Sequence, residues 1–192
     1  MTDANTIKAL TSTGKDDWMT PPAVLRELNA EFGFTLDAAA AKETFPGVPW
    51  LGPGGLVKDA LEDMSAWARG FNHSHKVYPG AAVFLNPPYS RAAGRGKGVR
   101  AWHRMARRAA WLLDLTVVVL CPPHPGRGWF HEHAVCADEI RVYKSRLAFV
   151  DPATGLAVKG NTQDSCLVIY RGHVPVSGWP GGPRWSWIDV PR

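Results

Sequence analysis

The tetrapeptide Asn86-Pro87-Pro88-Tyr89 directly follows an apolar run, and this junction constrains the fold more than any other feature of the chain. The run spans residues 81–85, reads Ala-Ala-Val-Phe-Leu and is typical of a buried strand. Two consecutive prolines end that strand, because proline lacks the N–H group that a sheet ladder needs. The sequence therefore predicts an amide side chain and an aromatic ring at the carboxyl end of a strand, where open α/β sheets bind their ligands.

The four residues of this tetrapeptide have the chemistry needed to bind an amino group carried by a planar ring. The oxygen of Asn86 and a proline carbonyl can accept the two hydrogens of an exocyclic amine. The ring of Tyr89 can stack on the planar group that carries the amine. We interpret Asn86, Pro87, Pro88 and Tyr89 as the candidate catalytic residues. The alternative is a plain strand-ending turn. The apolar strand before the tetrapeptide and the basic loop after it argue against that alternative.

Composition indicates one folded domain and is consistent with an anionic partner. Its 192 residues are 45% hydrophobic, which fits one domain with a normal core. A net charge of +5 suits nucleic acid, although a merely basic surface has the same charge. The three cysteines are widely spaced and form no C-x-x-C pair, so we expect a cytoplasmic location. His131, His133 and Cys136 cluster on an expected helix, but a His-x-His pair does not share a helix face, so we expect no metal site. No apolar run approaches the roughly 20 residues of a membrane span, so we expect no membrane partner.

Helical and strand patterns alternate along the chain and predict an α/β sheet. Thr20 is the expected N-cap of a first helix, with Pro21 at the first helical position. Two late strands, residues 140–150 and 165–170, are expected to pair and to form an antiparallel edge on an otherwise parallel sheet. The other expected elements are a strand at 34–37, a helical turn at 59–67, an amphipathic helix at 99–113, a buried strand at 116–120 and a helix at 129–137.

Taken in order, the motifs resemble those of the phage-type DNA N6-adenine methyltransferases, small relatives of the Dam enzymes. The resemblance covers roughly residues 16–170. The matching segments are Asp17-Trp18-Met19-Thr20-Pro21-Pro22, Phe34-Thr35-Leu36-Asp37-Ala38-Ala39-Ala40, Asp59-Ala60-Leu61-Glu62-Asp63-Met64-Ser65, Phe84-Leu85-Asn86-Pro87-Pro88-Tyr89, Trp129-Phe130-His131 and Glu139-Ile140-Arg141-Val142-Tyr143-Lys144-Ser145-Arg146-Leu147. The segment Cys121-Pro122-Pro123-His124 departs from the family, which more often has a small residue and arginine after the proline.

The resemblance implies a Rossmann-like fold, S-adenosylmethionine as the methyl donor and adenine in double-stranded DNA as the substrate. We then expect residues 1–16 to be a flexible segment, 17–170 the methyltransferase domain and 171–192 an irregular tail packed on that domain. No expectation about the oligomeric state follows. The cofactor-binding residues that the resemblance implies are Trp18, Thr20, Pro21, Asp37, Ala38, Asp63 and Asn86.

Two of these cofactor residues also have a purely structural interpretation. A carboxylate at a strand end, such as Asp37, suits the ammonium or the ribose diol of S-adenosylmethionine, but it could equally cap a following helix. Trp18 could stack on the adenine of the cofactor or simply pack in the core.

A basic, glycine-rich loop follows the tetrapeptide and is the expected DNA contact. It lacks the G-x-x-x-x-G-K-[ST] spacing of a nucleotide P-loop. Because the loop lies next to the candidate catalytic turn, its cations are placed to contact phosphates beside a flipped base. The expected DNA-binding residues are Arg91, Arg95, Lys97 and Arg100, and a solvated loop is the alternative.

Other functions share the same tetrapeptide and stay open at this point. Transfer to cytosine N4, to RNA or to a glutamine amide of a protein uses similar chemistry. A non-catalytic basic module that binds DNA is the alternative from a different class, but it would leave Asn86 and Tyr89 without a role. Binding of S-adenosylmethionine would separate that module from the enzymes.

Overall fold

A mixed six-stranded sheet, counted within the described residues 18–69, 81–89, 98–158, 161–172 and 182–191, forms the centre of the computed structural model. The strands are β1 (Phe34–Asp37), β2 (Ala82–Leu85), β3 (Thr116–Cys121), β4 (Glu139–Tyr143), β5 (Cys166–Arg171) and β6 (Arg184–Ile188). The helices are α1 (Pro22–Phe32), α2 (Ser65–Arg69), α3 (Val99–Leu113) and α4 (Gly128–Glu132), and a 3₁₀ turn covers Ala134–Cys136. The α/β architecture expected from the alternating patterns is confirmed.

The order of the strands is β1-β2-β3-β5-β4-β6, and it corrects the expected antiparallel edge. The late strands β4 and β5 do pair antiparallel, as the sequence predicts. However, β5 lies inside the sheet, because it also pairs antiparallel with β3. The described edge strands β1 and β6 are both parallel to their neighbours. The five consecutive buried residues at the start of β5 agree with this interior position.

Alternating side chains of the strands form two apolar layers, one on each face of the sheet. On one face, Val24 and Leu28 of α1 pack with Phe84 and Val118. On the other face lie α2, α3 and α4, whose buried residues include Trp67, Trp102, Ala106 and Phe130. The period-2 pattern of the strands explains this division, since successive side chains point to opposite faces.

Two local expectations, about the start of α1 and about the C-terminal segment, are wrong. Thr20 is not the N-cap of α1, because the helix begins at Pro22 and Pro21 holds the cap position without a side-chain cap bond. The C-terminal segment is not wholly irregular, since β6 pairs in parallel with β4 from Arg184 to Ile188. Nearby prolines hid this strand in the sequence, but its own five residues include three with high strand propensity. The expected flexible segment 1–16 lies outside the described residues.

Candidate active site

The carboxyl ends of β1, β2 and β3 meet at one edge of the sheet and bring the predicted residues together. These strands run parallel, with Asp37 opposite Phe84 and Leu85 opposite Val119. Asp37 is thus the last residue of β1, and Asn86 is the first residue after β2. The backbone N–H of Ala38 donates to the carbonyl of Phe84 over 2.9 Å, which joins the two strand ends directly. The carboxylate and the amide, each predicted from the sequence at the end of a strand, thus lie at one edge of the sheet.

The amide of Asn86 is held at both of its ends. Its Nδ2 donates to Thr20 Oγ1 over 3.1 Å and to the backbone oxygen of Trp18 over 3.4 Å. Its Oδ1 accepts from the hydroxyl of Tyr89 over 2.6 Å. An amide oxygen has two lone pairs, so one remains for a ligand. The arrangement turns the acceptor of Asn86 away from Thr20 and fixes it.

The hydroxyl of Tyr89 has two acceptors and one proton. Besides Asn86 Oδ1, the backbone oxygen of Leu120 lies 3.0 Å from it. Burial raises the pKa of Tyr89 well above its usual range, so the hydroxyl stays protonated and acts as a donor. The ring is half-buried and packs against the core layer that contains α3. Tyr89 therefore connects the end of β2 to the end of β3.

Of the two prolines, Pro87 is buried and Pro88 is half-buried. Among the described residues no backbone N–H group donates to the carbonyl of Pro87. That carbonyl follows Asn86 directly in the chain, so a second acceptor is available at the end of β2.

Asp37 is a buried carboxylate with an unusual acidity. It is only 3% exposed, and its Oδ1 accepts from the N–H of Ala39 over 3.1 Å. Burial raises the pKa of Asp37 to about 6, while hydrogen bonds from Thr44 and Ala39 partly oppose that rise. No lysine, arginine or histidine in the described part of the chain forms an ion pair with it. No described helix starts directly after Asp37, which argues against the helix-cap interpretation.

The remaining predicted cofactor residues occupy two places. Trp18, Thr20 and Pro21 lead into α1, and the first two contact Asn86 as described above. Met19 bridges to Val150 through two backbone hydrogen bonds of 2.9 Å, which fixes this segment. Asp63 precedes α2, where its Oδ1 accepts from the N–H of Ser65 over 2.9 Å.

A cleft of about 590 Å³ opens beside Tyr89. One wall is the start of α3, from Gly98 to Arg100, and the other includes Pro122, His124 and Trp129. Burial, and after it the charge of Arg127, lowers the pKa of His124, so this imidazole is neutral at neutral pH. The volume lies within the range of small-molecule pockets. The unusual segment that ends in His124 is therefore part of this wall.

The predicted DNA-binding residues are only partly within the described structure. Arg91, Arg95 and Lys97 lie outside the described residues. Arg100 is on the first turn of α3, where its Nη2 is 2.7 Å from Glu132 Oε1. Its side chain is 61% exposed and also lines the cleft.

Sequence reasoning missed several residues of this site. The hydrogen bond from Asn86 to Thr20 joins residues 66 positions apart, so no local sequence pattern predicts it. Gln163 and Arg127 line the cleft from loops, which carry no periodic signal. Trp129 was noted in a motif, and the structure adds that its ring stacks on His103 at 4.6 Å.

Within the described residues, no three side chains of histidine, cysteine, aspartate or glutamate come together as metal ligands would. None of the described helices is long and apolar enough to cross a membrane.

Comparison with known proteins identifies the family. The chain matches the family model described as DNA N-6-adenine-methyltransferase (Dam) over residues 7–178. No curated protein and no solved structure matches it. The family match favours adenine in DNA over the cytosine, RNA and protein substrates, and over a non-catalytic module.

The matched region covers most of the chain and contains every described residue of the site above. The chain therefore belongs to the Dam family, and it is an adenine-specific DNA methyltransferase that uses S-adenosylmethionine as its methyl donor.

Proposed function

We propose that Asn86 and Pro87 bind the amino group of the target adenine and that Tyr89 positions Asn86 and stacks on the base. The observation that carries this proposal is the clamped amide of Asn86. Because Thr20, Trp18 and Tyr89 fix both ends of the amide, its free lone pair has one direction. Such preorganised dipoles stabilise a transition state without having to reorient during the reaction.

The two acceptors explain how a weak nucleophile becomes reactive. The lone pair of the adenine amine is delocalised into the ring, so the nitrogen is nearly planar and unreactive. Asn86 Oδ1 and the carbonyl of Pro87 would accept its two hydrogens and draw the nitrogen toward tetrahedral geometry. The lone pair then points out of the ring plane, toward the methyl group. S-adenosylmethionine supplies that methyl group on a positively charged sulfur, which makes it an electrophile.

The reaction moves one methyl group and releases one proton. Bound here, S-adenosylmethionine would supply the methyl group to the adenine nitrogen and leave as the neutral thioether. The methylated nitrogen would then release one hydrogen as a proton to solvent, along the hydrogen bond that Asn86 Oδ1 accepts. No ionisable base is required at this position.

We propose that the cofactor lies at the ends of β1 and β2, with Asp37 as a main contact. A desolvated carboxylate without a cationic partner among the described residues suits the ammonium or the ribose diol of S-adenosylmethionine. Ala38 directly follows Asp37 and is fully buried, and we assign it to the cofactor site from the family resemblance. We assign Trp18, Thr20, Pro21 and Asp63 to the rest of the cofactor site from the family resemblance.

The finer fold and the approach of the substrate are also proposals. A Rossmann-like fold is supported by three parallel strands with helices on both faces and a ligand edge at their carboxyl ends. We propose that the target adenine leaves the duplex and enters the cleft beside Tyr89. Leaving the stack costs a few kcal/mol, which stacking on the tyrosine ring partly offsets.

One assay tests these roles on the purified chain. The enzyme is incubated with methyl-labelled S-adenosylmethionine and duplex DNA, and the DNA is digested to nucleosides. We expect the label in N6-methyladenine, and its loss in Asn86→Ala with cofactor affinity retained. Label in N6-methyladenine at the wild-type rate in Asn86→Ala would show that Asn86 does not orient the amine.

A further inference from the structure

The exposed face of α3 is strongly basic and carries no acidic residue. The fifteen residues of α3 include four arginines and neither aspartate nor glutamate. The buried face, with Trp102, His103 and Ala106, packs on the sheet. Four arginines and one tryptophan are exposed on the opposite side of the helix. We call this surface the α3 arginine face, and it consists of Arg100, Arg104, Arg107, Arg108 and Trp111.

Helical geometry places these five side chains on one stripe. At 100° per residue, positions 100, 104, 107, 108 and 111 fall within roughly 100° of one another. From Arg100 to Trp111 the stripe is about 16 Å long, at 1.5 Å per residue. One strand of duplex DNA carries a phosphate every 3.4 Å of its axis, so this length spans about five phosphates.

Most of these charges are not neutralised within the described structure. Arg100 pairs with Glu132, but in the described residues no carboxylate lies in ion-pair distance of Arg104, Arg107 or Arg108. Burial lowers the pKa of His133, which follows α4; the neighbouring Glu132 opposes that shift, and the charges of Arg107, Arg100 and Arg104 add to it. The arginines of α3 are therefore close enough together to act on one side chain at the end of α4.

The stripe begins at the cleft of the candidate active site. Arg100 lines that cleft together with Tyr89, and Arg127 adds a further cation to the same rim. At the other end of the stripe, the indole of Trp111 is 66% exposed. A tryptophan this exposed contributes little to the core, whereas its N–H can donate to a phosphate oxygen and its ring can lie against a sugar.

We propose that the α3 arginine face is the surface on which the DNA duplex beside the target adenine lies. This inference rests on the proposed function, because the base must enter the cleft beside Tyr89 for the flanking duplex to lie along α3. The arginines contact phosphates and so hold the duplex without reading its sequence. Charge complementarity and the continuous path from cleft to stripe select nucleic acid as the occupant.

The test compares two variants that each remove two positive charges. Arg104→Gln/Arg107→Gln alters the α3 arginine face, and Arg26→Gln/Lys42→Gln alters exposed cations away from α3, on α1 and on the loop after β1. Duplex affinity is measured between about 50 and 200 mM salt for both variants and the wild type. Each lost phosphate contact reduces the slope of log affinity against log salt by about 0.9, so we expect a reduction of about 1.8 in the first variant only.

Further measurements make the outcome decisive. Affinity for S-adenosylmethionine and the maximal methylation rate at saturating DNA should match the wild type in both variants. Trp111→Ala should weaken duplex binding several-fold without changing the salt slope. If Arg104→Gln/Arg107→Gln does not fold, Arg108→Gln alone should reduce the slope by about 0.9.

Two results distinguish the failure of each idea. Equal salt slopes in the wild type and in every arginine variant, with adenine still methylated, would overturn the α3 surface and leave the proposed function intact. Normal methylation by the Asn86→Ala variant, together with reduced salt slopes in the α3 variants, would overturn the proposed catalytic role and support the DNA surface.

Discussion

Asn86 is fixed by groups from separate parts of the chain. Its hydrogen-bond partners therefore say more about its role than its residue type does. Thr20 and Trp18 come from the segment before α1, and Tyr89 comes from the turn after β2. The sequence alone predicts that Asn86 accepts a hydrogen bond from a substrate. It does not predict that Thr20, which has the pattern of a helix cap, gives its oxygen to Asn86 instead.

Replacing Asn86 by alanine should remove catalysis and spare cofactor binding. Loss of one preorganised polar contact at a reacting centre costs about 10²–10³ in rate. Steady-state methylation of duplex DNA measures that loss, and calorimetry measures the affinity for S-adenosylmethionine. A large loss of cofactor affinity in the same variant would place Asn86 in the cofactor site rather than at the amine.

Tyr89 contributes a ring and a hydroxyl, and two variants separate them. Tyr89→Phe keeps the ring but releases Asn86 Oδ1, and one such hydrogen bond is worth about 1 kcal/mol, or a rate loss of roughly fivefold. Tyr89→Ala also removes base stacking, a further loss of about 1–3 kcal/mol. The rates of methylation should therefore fall in the order wild type, phenylalanine, alanine. Equal rates for the two variants would show that the ring does not stack on the base.

Replacing Asp37 by asparagine should have opposite effects on stability and on cofactor binding. Its pKa in the folded chain is about 6, above the value of 3.8 in the unfolded chain. The folded state thus binds the proton more tightly, so the free energy of unfolding falls as pH rises from about 4 to about 6. Asp37→Asn removes this loss and should stabilise the protein above pH 6 by up to about 3 kcal/mol.

The same substitution should weaken the binding of S-adenosylmethionine, because the charged carboxylate is its proposed partner. In the wild type, cofactor affinity should also decline as pH falls below about 6, where Asp37 becomes protonated. Urea unfolding at pH 4 and pH 8, with calorimetry of the cofactor at both, measures each effect. A destabilised Asp37→Asn with unchanged cofactor affinity would contradict both parts.

At the scale of elements, the two faces of α3 have different roles. The exposed face carries the arginines, while the buried face carries His103, which is 0% exposed. Its Nδ1 lies 2.8 Å from the hydroxyl of Tyr170 on β5, and its ring stacks on Trp129. A histidine at this position therefore links the helix to the sheet and to the wall of the cleft.

His103 should make the protein sensitive to acid. Burial, and after it the nearby His133, lowers the pKa of His103 from 6.5 to about 3. Because the unfolded state then binds more protons, stability is present above pH 6.5 and declines as pH falls, by about 1.4 kcal/mol per unit. His103→Gln should flatten this decline in urea unfolding between pH 6.5 and 4. An unchanged slope in that variant would show that another group is responsible.

Elements with a strong period were predictable, and elements set by distant contacts were not. The amphipathic pattern of 99–113 and the apolar run at 116–120 gave α3 and β3 almost to the residue. The position of β5 between β3 and β4 depends on which strands pair, and a sequence period does not specify partners. The long strand expected at 140–150 ends at Tyr143, since beyond it Val150 pairs with Met19 instead.

For the whole molecule, the parallel strands place the site and the antiparallel insertion of β5 extends the sheet. Asp37, Asn86 and the segment that begins with Pro122 come to one edge because β1, β2 and β3 all end there. The apolar runs that precede Asn86 and Cys121 allowed the sequence to predict two of the strands that end at that edge. The cleft beside it is built from loops and the start of α3, and only tertiary packing brings those together.

The strand β6 should be important for stability although it is far from the site in the strand order. It covers β4 along five paired positions, and the ring of Trp185 lies 6.1 Å from that of Phe130 in the core. Removing residues 182–192 would leave the edge of β4 unpaired and expose Phe130. We expect a loss of at least about 2 kcal/mol, or a fall in melting temperature of about 4–8 °C, with a greater tendency to aggregate.

Two single variants test which part of β6 provides this stability. Trp185 is 54% exposed, but its ring lies 6.1 Å from that of Phe130, whereas Trp187 is 67% exposed and has no such ring contact among the described residues. Trp185→Ala should therefore lower the melting temperature measurably, while Trp187→Ala should change it by about 1 °C or less, as surface substitutions usually do. Methylation of DNA by the Trp187→Ala variant should equal that of the wild type. If the truncated chain melts at the temperature of the full chain, β6 is dispensable, and the sheet gains its stability from the five strands β1 to β5.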